Sequence, residues 1–317
     1  MKQRMLRLAV LLAAAMLLLP ASVLSSRVGT RSSLRHYETR RDLSVYFSNA
    51  DAVIAGIRSA LRQRAQSVTV TYHAKADSMA DITLLVRDLM QYVYDETPSP
   101  LEGDYLMHQN GGYELRYSHT PEDGGFAYQI TIVPDYYTTA RQEAETSEMV
   151  AEVLSALHFT DRTSDYEKVR AVYDYVYAHV SYDTVHRKNT YYHLKSTAYG
   201  ALRYGTATCQ GYAVLMYRLL REAGVGVRII TGYAGEAGGE QEYHAWNIVR
   251  IDGLYYNLDV TVDRHTESER CFLRCDANFE RHQRSGAYTG SAFYAAYPMS
   301  EQDYPLLRRE TRKEAES

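Results

Sequence analysis

The chain contains 317 residues, of which 45% are hydrophobic, and this is enough for one large or two ordinary domains with a buried core. Its formal net charge of −4 gives no electrostatic basis for binding nucleic acid. None of the 11 histidines lies at a ligand spacing from other His or Cys residues, and the sequence has no EF-hand loop. We therefore expect no metal, no other cofactor and no nucleic acid partner.

The first residues have the pattern of an export signal. Basic residues precede an apolar run over residues 8–19, and residues 20–25 suit a cleavage region. An apolar run of about a dozen residues is short for a membrane span. We expect residues 1–25 to be a signal peptide, residues 26–41 to be a flexible lead-in, and the mature protein to be secreted or extracytoplasmic without a membrane span. An uncleaved N-terminal anchor stays open, because the cleavage region lacks the usual Ala-x-Ala pair.

Residues 42–160 are predicted to form a small α/β unit with an antiparallel sheet. Apolar residues recur at helical spacing over residues 49–65, 78–94 and 143–157. Runs typical of strands cover residues 67–72, 105–108, 113–118 and 126–133. The unit has no concentration of catalytic residue types, so we expect it to act as a scaffold or to present substrate.

The sequence places Cys209 at the start of a helix in a second unit, residues 161–300. Helical patterns over residues 166–180 and 196–202 lead to it. Thr208 is a good N-cap for the helix that follows, and Gly224 is placed to end that helix. Unpaired backbone N–H groups and the helix dipole favour a thiolate at such a position, and the thiolate is the nucleophile in thiol catalysis.

His244 and Asp259 are brought together by the register of a predicted hairpin. The pair Asp252-Gly253 between two runs rich in β-branched and aromatic residues is a strong signal for a two-residue turn. In that register Trp246 pairs with Asp259, and His244 lies on the same face, diagonal to Asp259 and about 7 Å away at the backbone. Each residue alone would be an ordinary structural residue. Together with Cys209 they match a nucleophile, a base and the acid that orients the base.

Four short runs resemble the core of the transglutaminase-like superfamily, over about residues 160–285. The resemblance implies a papain-like α+β fold, with helices packed on an antiparallel sheet, and the roles of nucleophile for Cys209, base for His244 and partner of that base for Asp259. Many relatives have Trp where this chain has Val262, which puts that part of the pocket wall in doubt. The runs are Tyr199-Gly200-Ala201-Leu202, Cys209-Gln210-Gly211-Tyr212-Ala213, His244-Ala245-Trp246-Asn247 and Leu258-Asp259-Val260-Thr261.

The resemblance implies an exported, cysteine-dependent enzyme of the kind found in bacteria. Its thiolate would form a thioester at a carboxamide or peptide carbonyl of a protein or peptide substrate, possibly in the cell envelope. Resolution by an amine gives a cross-link, and resolution by water gives a protease, deamidase or amidase. The alternative is a catalytically silent binding or scaffold protein of the cell envelope.

An oxyanion formed at this centre needs hydrogen-bond donors. The backbone N–H of Cys209 is one expected donor, and Tyr191, Tyr192 and Tyr199 are candidates for the second. Trp246 is expected to pack beneath the His–Asp pair rather than to touch substrate.

Two cysteines lie beyond the hairpin. The strand-like pattern over residues 271–274 would separate the ends of that run by about 13 Å, which is beyond the reach of a disulfide. We therefore expect Cys271 and Cys275 to be free, structural thiols, followed at residues 301–317 by a charged tail.

Overall fold

The computed structural model describes residues 24–29, 42–74, 82–235 and 239–305. Within these ranges no helix is long and apolar enough to cross a membrane. Helices and antiparallel strands give the α+β class expected from the sequence.

The strands are β1 (Leu24–Gly29), β2 (Val68–Ala74), β3 (Asn110–Glu122), β4 (Gly125–Tyr136), β5 (Ser181–Tyr182), β6 (Thr206–Ala207), β7 (Val227–Ala234), β8 (Glu242–Ile251), β9 (Leu254–Leu258) and β10 (His282–Arg284). The helices are α1 (Ala50–Arg62), α2 (Ile82–Val93), α3 (Asp104–His108), α4 (Ala140–Ala156), α5 (Asp165–His179), α6 (Ala198–Tyr204), α7 (Cys209–Glu222), α8 (Val260–His265) and α9 (Ser291–Ala296).

The first half of the chain forms a sheet with the order β1-β3-β4-β2, in which every neighbouring pair is antiparallel. Its core joins the sheet to the two long helices of this half. Ile57 of α1, Leu89 of α2, Leu115 of β3 and Ile130 of β4 all belong to it and are fully buried. The alternation of apolar and polar residues along the strands places one face of the sheet on this core.

Three features of this half differ from the sequence-based predictions. Residues 24–29 pair with β3 as a strand, where the sequence predicted the end of a signal and the start of a flexible lead-in; the rest of residues 1–41 lies outside the described residues. Residues 105–108, predicted as a strand, belong to helix α3. Helix α4 lies within the predicted N-terminal unit, yet its Val150 and Val153 pack in the core of the second half, as does Tyr105 of α3.

Helix α7 lies at the centre of the second half, where it packs against α5, β7 and β8. Every residue from 211 to 220 is buried. A helix that is covered on all sides holds its first residue in a fixed place relative to the sheet. That sheet has the order β10-β7-β8-β9, and it presents β8 and its neighbours to the start of α7.

The hairpin of β8 and β9 has the turn that the sequence predicts. Asp252 and Gly253 have φ values of 52° and 90°, so both turn residues are left-handed, which is the conformation of a type I′ turn. Ile251 pairs with Leu254, as this two-residue turn requires. Strand β9 ends one residue before Asp259, and Asp259 is the N-cap of α8.

The two halves are joined by a buried ion pair and a hydrogen bond. Arg228 of β7 lies 2.7 Å from Asp104 of α3, and the two side chains are 2% and 0% exposed. The amide Nε2 of Gln210, the residue after Cys209, donates to the carbonyl of His108 at 2.8 Å. The N-terminal half therefore contacts both the β10-β7-β8-β9 sheet and the first turn of α7.

Candidate active site

Cys209 is the first residue of α7, as predicted, but Thr208 does not cap the helix with its side chain. The Thr208 hydroxyl instead donates to the carbonyl of Lys195 at 3.2 Å. Gly211 allows this close packing, since a Cβ there would lie 2.7 Å from the same carbonyl oxygen. The first-turn N–H groups of α7 thus have no hydrogen bond from the Thr208 side chain, and N–H groups of this kind are the donors that an oxyanion needs.

The thiol of Cys209 is partly buried and lies close enough to His244 for the imidazole to act on its pKa. Burial alone would raise the pKa of the Cys209 thiol, but the charge and hydrogen bond of His244, helped by Ala245, lower the pKa below its ordinary value. The structure therefore favours a thiolate at this position.

His244 Nε2 lies 2.7 Å from Asp259 Oδ2, and the side chains are 12% and 1% exposed. Because Nε2 is engaged by the carboxylate, Nδ1 is the ring nitrogen left for the sulfur. Burial opposes a charge on the imidazole, yet Asp259 and Cys209 together hold the pKa of His244 well above its ordinary value. His244 thus interacts with both Cys209 and Asp259, and this order of the three residues is the one that the sequence predicts.

Asp259 is fixed by more than His244. Its Oδ1 accepts the backbone N–H groups of Thr261 at 3.0 Å and Val262 at 3.1 Å. Its Oδ2 accepts a hydrogen bond from a second imidazole, that of His282, whose Nε2 lies 2.8 Å away. Burial would raise the pKa of Asp259, but His244 and then His282 lower it to well below its usual range.

Sequence reasoning missed His282. It lies on β10, 23 residues after Asp259, beyond a loop whose path no local pattern reveals. The only available signal was that residues 272–282 resemble the segment that follows the catalytic strand in relatives. That signal predicted an added strand and a lid but gave no role to the histidine.

A cavity of about 670 Å³ lies beside this centre and is lined by both His244 and His282. Tyr182 of β5 also lines it, and β5 pairs with β6 immediately before Cys209. Burial, followed by the charge of Cys209, raises the pKa of the Tyr182 hydroxyl. Val262, at the position where many relatives have Trp, forms part of the wall. A substrate in this cavity would meet the imidazole, and Tyr182 is a donor that the sequence did not single out.

Trp246 is 1% exposed and stacks on His244 with ring centroids 6.3 Å apart. It therefore packs behind the base, as expected. The tyrosines considered as oxyanion donors lie elsewhere: the hydroxyl of Tyr199 donates to Glu145 at 3.0 Å, Tyr191 is 91% exposed, and the Tyr192 ring packs on His186.

Cys271 and Cys275 are free, as expected, although the strand on which that expectation rested is wrong. Leu273, between them, has a left-handed φ of 51°, and residues 270–273 form a turn followed by a bend. Burial raises the pKa of both thiols, most strongly for Cys271. Both side chains are therefore structural rather than nucleophilic.

His244, Asp259 and His282 are also a possible set of metal ligands, since one ligand atom from each lies within 4.8 Å of the others. The two short contacts to Asp259 Oδ2 are ordinary hydrogen-bond distances. Hydrogen bonding therefore accounts for this cluster without an ion, and a metal here would occupy the catalytic base itself.

Residues 156–260 match the family model described as the transglutaminase-like superfamily. Among curated proteins, the chain is 31% identical over 123 residues to the kyphoscoliosis peptidase of Mus musculus, covering 36% of this chain and 18% of that protein. It is 28% identical over 134 residues to the kyphoscoliosis peptidase of Homo sapiens, covering 40% of this chain and 19% of that protein. The chain thus spans less than a fifth of the length of these relatives.

Solved structures show weaker similarity. A crystal structure of a TGase aligns with a TM-score of 0.33 at 19% identity, over 46% of this chain and 44% of that chain. A candidate cysteine protease from Cytophaga hutchinsonii aligns with a TM-score of 0.31 at 16% identity, over 46% of this chain and 62% of that chain. A candidate protease from Parabacteroides distasonis aligns at 0.27 and 16% identity, over 45% of this chain and 35% of that chain.

Proposed function

Residues 156–260 form a transglutaminase-like core, and we propose that this core is a cysteine-dependent enzyme acting on carboxamide or peptide carbonyls. One observation carries the proposal: His244, which lies 2.7 Å from the buried carboxylate of Asp259, is also close enough to Cys209 to act on the pKa of its thiol. The same contacts lower the pKa of the thiol in spite of burial. This is the state that a thiol nucleophile requires at neutral pH.

The reaction follows from these positions. The thiolate of Cys209 attacks the carbonyl carbon, and the negative charge moves to the carbonyl oxygen, near the N–H groups at the start of α7. The C–N bond then breaks, His244 gives its proton to the departing nitrogen, and a thioester remains on Cys209. Asp259 keeps the imidazole oriented and stabilises its charged form throughout.

The second half of the reaction defines the product. A primary amine that attacks the thioester gives an isopeptide bond, and water gives a free acid; in both cases neutral His244 removes the proton of the attacking group. Incubating the protein with a glutamine peptide, with and without a labelled primary amine, separates these two outcomes. Label in the peptide indicates cross-linking, and release of ammonia alone indicates hydrolysis.

We propose further that the protein is exported and that its substrate is a protein or peptide outside the cytoplasm. The support is the sequence pattern of residues 1–25. Expression of the full chain in an exporting host, followed by N-terminal sequencing of the mature protein, tests this. A start near residue 26 in the extracytoplasmic fraction supports export with cleavage, and an intact N-terminus in the cytoplasm contradicts it.

The enzymatic proposal is tested by the pH dependence of Cys209 alkylation with iodoacetamide, followed by peptide mass spectrometry. In the wild type we expect Cys209 to react well below pH 8.5, the pKa of an ordinary thiol being about 8.5. In His244→Ala the reactive range should move to higher pH. Cys271 and Cys275 serve as internal controls, because burial raises the pKa of both. A wild-type Cys209 that titrates like those two and ignores His244 would support the silent binding or scaffold protein instead.

A further inference from the structure

Two imidazoles share one oxygen of the catalytic carboxylate. His244 Nε2 and His282 Nε2 lie 2.7 Å and 2.8 Å from Oδ2 of Asp259. An ionised carboxylate has no proton, so it can only accept hydrogen bonds. His282 must therefore be the donor in this contact, through its Nε2–H. His282 is not on the path of the transferred proton, because Asp259 lies between it and His244.

His282 is held firmly enough to position another group. Its side chain is 3% exposed, its ring stacks on Phe279 with centroids 3.9 Å apart, and it meets Trp246 edge-on at 5.2 Å. Strand β10 is held against β7 at Gly232, where a Cβ would lie only 2.0 Å from the carbonyl oxygen of Gln283. A glycine at that position is therefore what lets the strand approach and bring His282 to Asp259.

The contacts of Asp259 show what this donor does. The N–H groups of Thr261 and Val262 hold Oδ1, so the carboxylate can still rotate about the bond that links it to the chain unless Oδ2 is held too. His282 supplies that second restraint at Oδ2, at 2.8 Å. With both oxygens fixed, Oδ2 keeps its remaining lone pair directed at His244, and the imidazole keeps the orientation that leaves Nδ1 for the sulfur.

We propose that His282 is a positioning residue of the active site, which fixes the carboxylate of Asp259 and through it orients His244 toward Cys209. The proposal rests on the function proposed above for Cys209. The proposal predicts that the Nε2–H donor of His282, rather than the packing of its ring, sets the reactivity of the Cys209 thiol, although His282 does not contact that thiol.

Two variants separate the donor from the ring. His282→Phe keeps an aromatic ring against Phe279 and Trp246 but has no donor, whereas His282→Gln loses the ring but can place an amide N–H near the position of Nε2. The readout is the rate of Cys209 alkylation by iodoacetamide from pH 5 to pH 9, with thermal unfolding of each variant measured alongside. We expect His282→Phe to slow alkylation at pH 6 about tenfold and to shift the profile to higher pH, and His282→Gln to stay within about threefold of the wild type.

The contrary outcomes are distinct. An alkylation profile of His282→Phe that matches the wild type, or a loss in His282→Gln as large as that in His282→Phe, would overturn the positioning role while leaving the enzyme proposal intact. A wild type whose Cys209 ignores His244→Ala would overturn both proposals together. If His282→Phe does not fold, His282→Leu is the smaller donor-free replacement, and the same comparison with His282→Gln decides the question.

Discussion

Asp259 and Asp263 are two carboxyl groups one turn apart at helix α8. Their pKa values are shifted in opposite directions from the ordinary value of an aspartate. Both are buried, at 1% and 0% exposed. The pKa of Asp259 lies well below its usual range, because His244 and His282 outweigh the effect of burial. The pKa of Asp263 is raised to about 6, because burial outweighs its hydrogen bonds from the N–H of Cys271 and the hydroxyl of Tyr173.

The difference shows that burial does not decide the charge of a carboxyl group in this protein; the kind of donor does. Neutral donors hold Asp263, and they compensate only part of the cost of removing its charge from water. Asp259 accepts two backbone N–H groups as well, but it also contacts His244, whose pKa is raised well above its ordinary value, and a hydrogen bond to a charged imidazole is stronger than one to a neutral donor. Of the two carboxylates, only Asp259 is therefore ionised at every pH at which the thiol could act.

The largest effect should come from making Asp259 neutral. Asp259→Asn keeps the size of the side chain but removes the charge, and its amide can hold the imidazole in the wrong tautomer. We expect alkylation of Cys209 at pH 6 to slow on the order of a thousandfold. The matched control is Asp263→Asn on the same helix, which should change this rate less than about threefold. Equal losses in the two variants would mean that α8 is merely sensitive to substitution.

Asp263 should control stability rather than reactivity. An acid whose pKa rises on folding, here from 3.8 to about 6, binds its proton more tightly in the folded state. The free energy of unfolding therefore falls as pH rises from about 4 through about 6, by about 3 kcal/mol at most. Asp263→Asn cannot titrate and should lack this fall.

Urea unfolding of the wild type and of Asp263→Asn at pH 4, 5, 6 and 7 measures the difference directly. The free energy of unfolding of the variant, minus that of the wild type, should increase steadily from pH 4 to pH 7. A gap that is the same at pH 4 and pH 7 would show that Asp263 has an ordinary pKa in the folded protein.

The smallest effect is expected at Cys271, whose thiol lies in the electrostatic reach of both carboxylates. It donates to neither through its sulfur; its backbone N–H is the group that contacts Asp263, at 2.9 Å. Cys271→Ala keeps that N–H, so we expect Cys209 alkylation to stay within about twofold of the wild type and stability to fall by about 1 kcal/mol. A large loss of Cys209 reactivity would mean that the sulfur of Cys271 also supports Asp259.

Local rules were enough to predict the geometry of the candidate site from the sequence. The position of Cys209 follows from helical periodicity, and the approach of His244 to Asp259 follows from the two-residue turn at Asp252 and Gly253. Both rest on contacts between residues close in sequence or in fixed register.

Features that depend on distant contacts were not predictable. Residues 105–108 have mixed propensities, and their helix is fixed by Asp104, which meets Arg228 and accepts the N–H of Ile229 from far along the chain. The turn and bend over residues 270–273 contain a left-handed Leu273 that no turn signal marks. His282 reaches Asp259 only because β10 joins the edge of β7, and this pairing cannot be counted from a hairpin.

The buried pair of Asp104 and Arg228 also has a consequence for the order of folding during synthesis. Asp104 leaves the ribosome 124 residues before Arg228, which at usual translation rates is on the order of ten seconds. The N-terminal sheet is complete by then, so the acid already has its place when the arginine of β7 appears. A second half made without the first would lack the carboxylate of Asp104, and removing one partner of a buried ion pair costs about 3–5 kcal/mol. The first half thus serves the second as a built-in folding template, translated in advance.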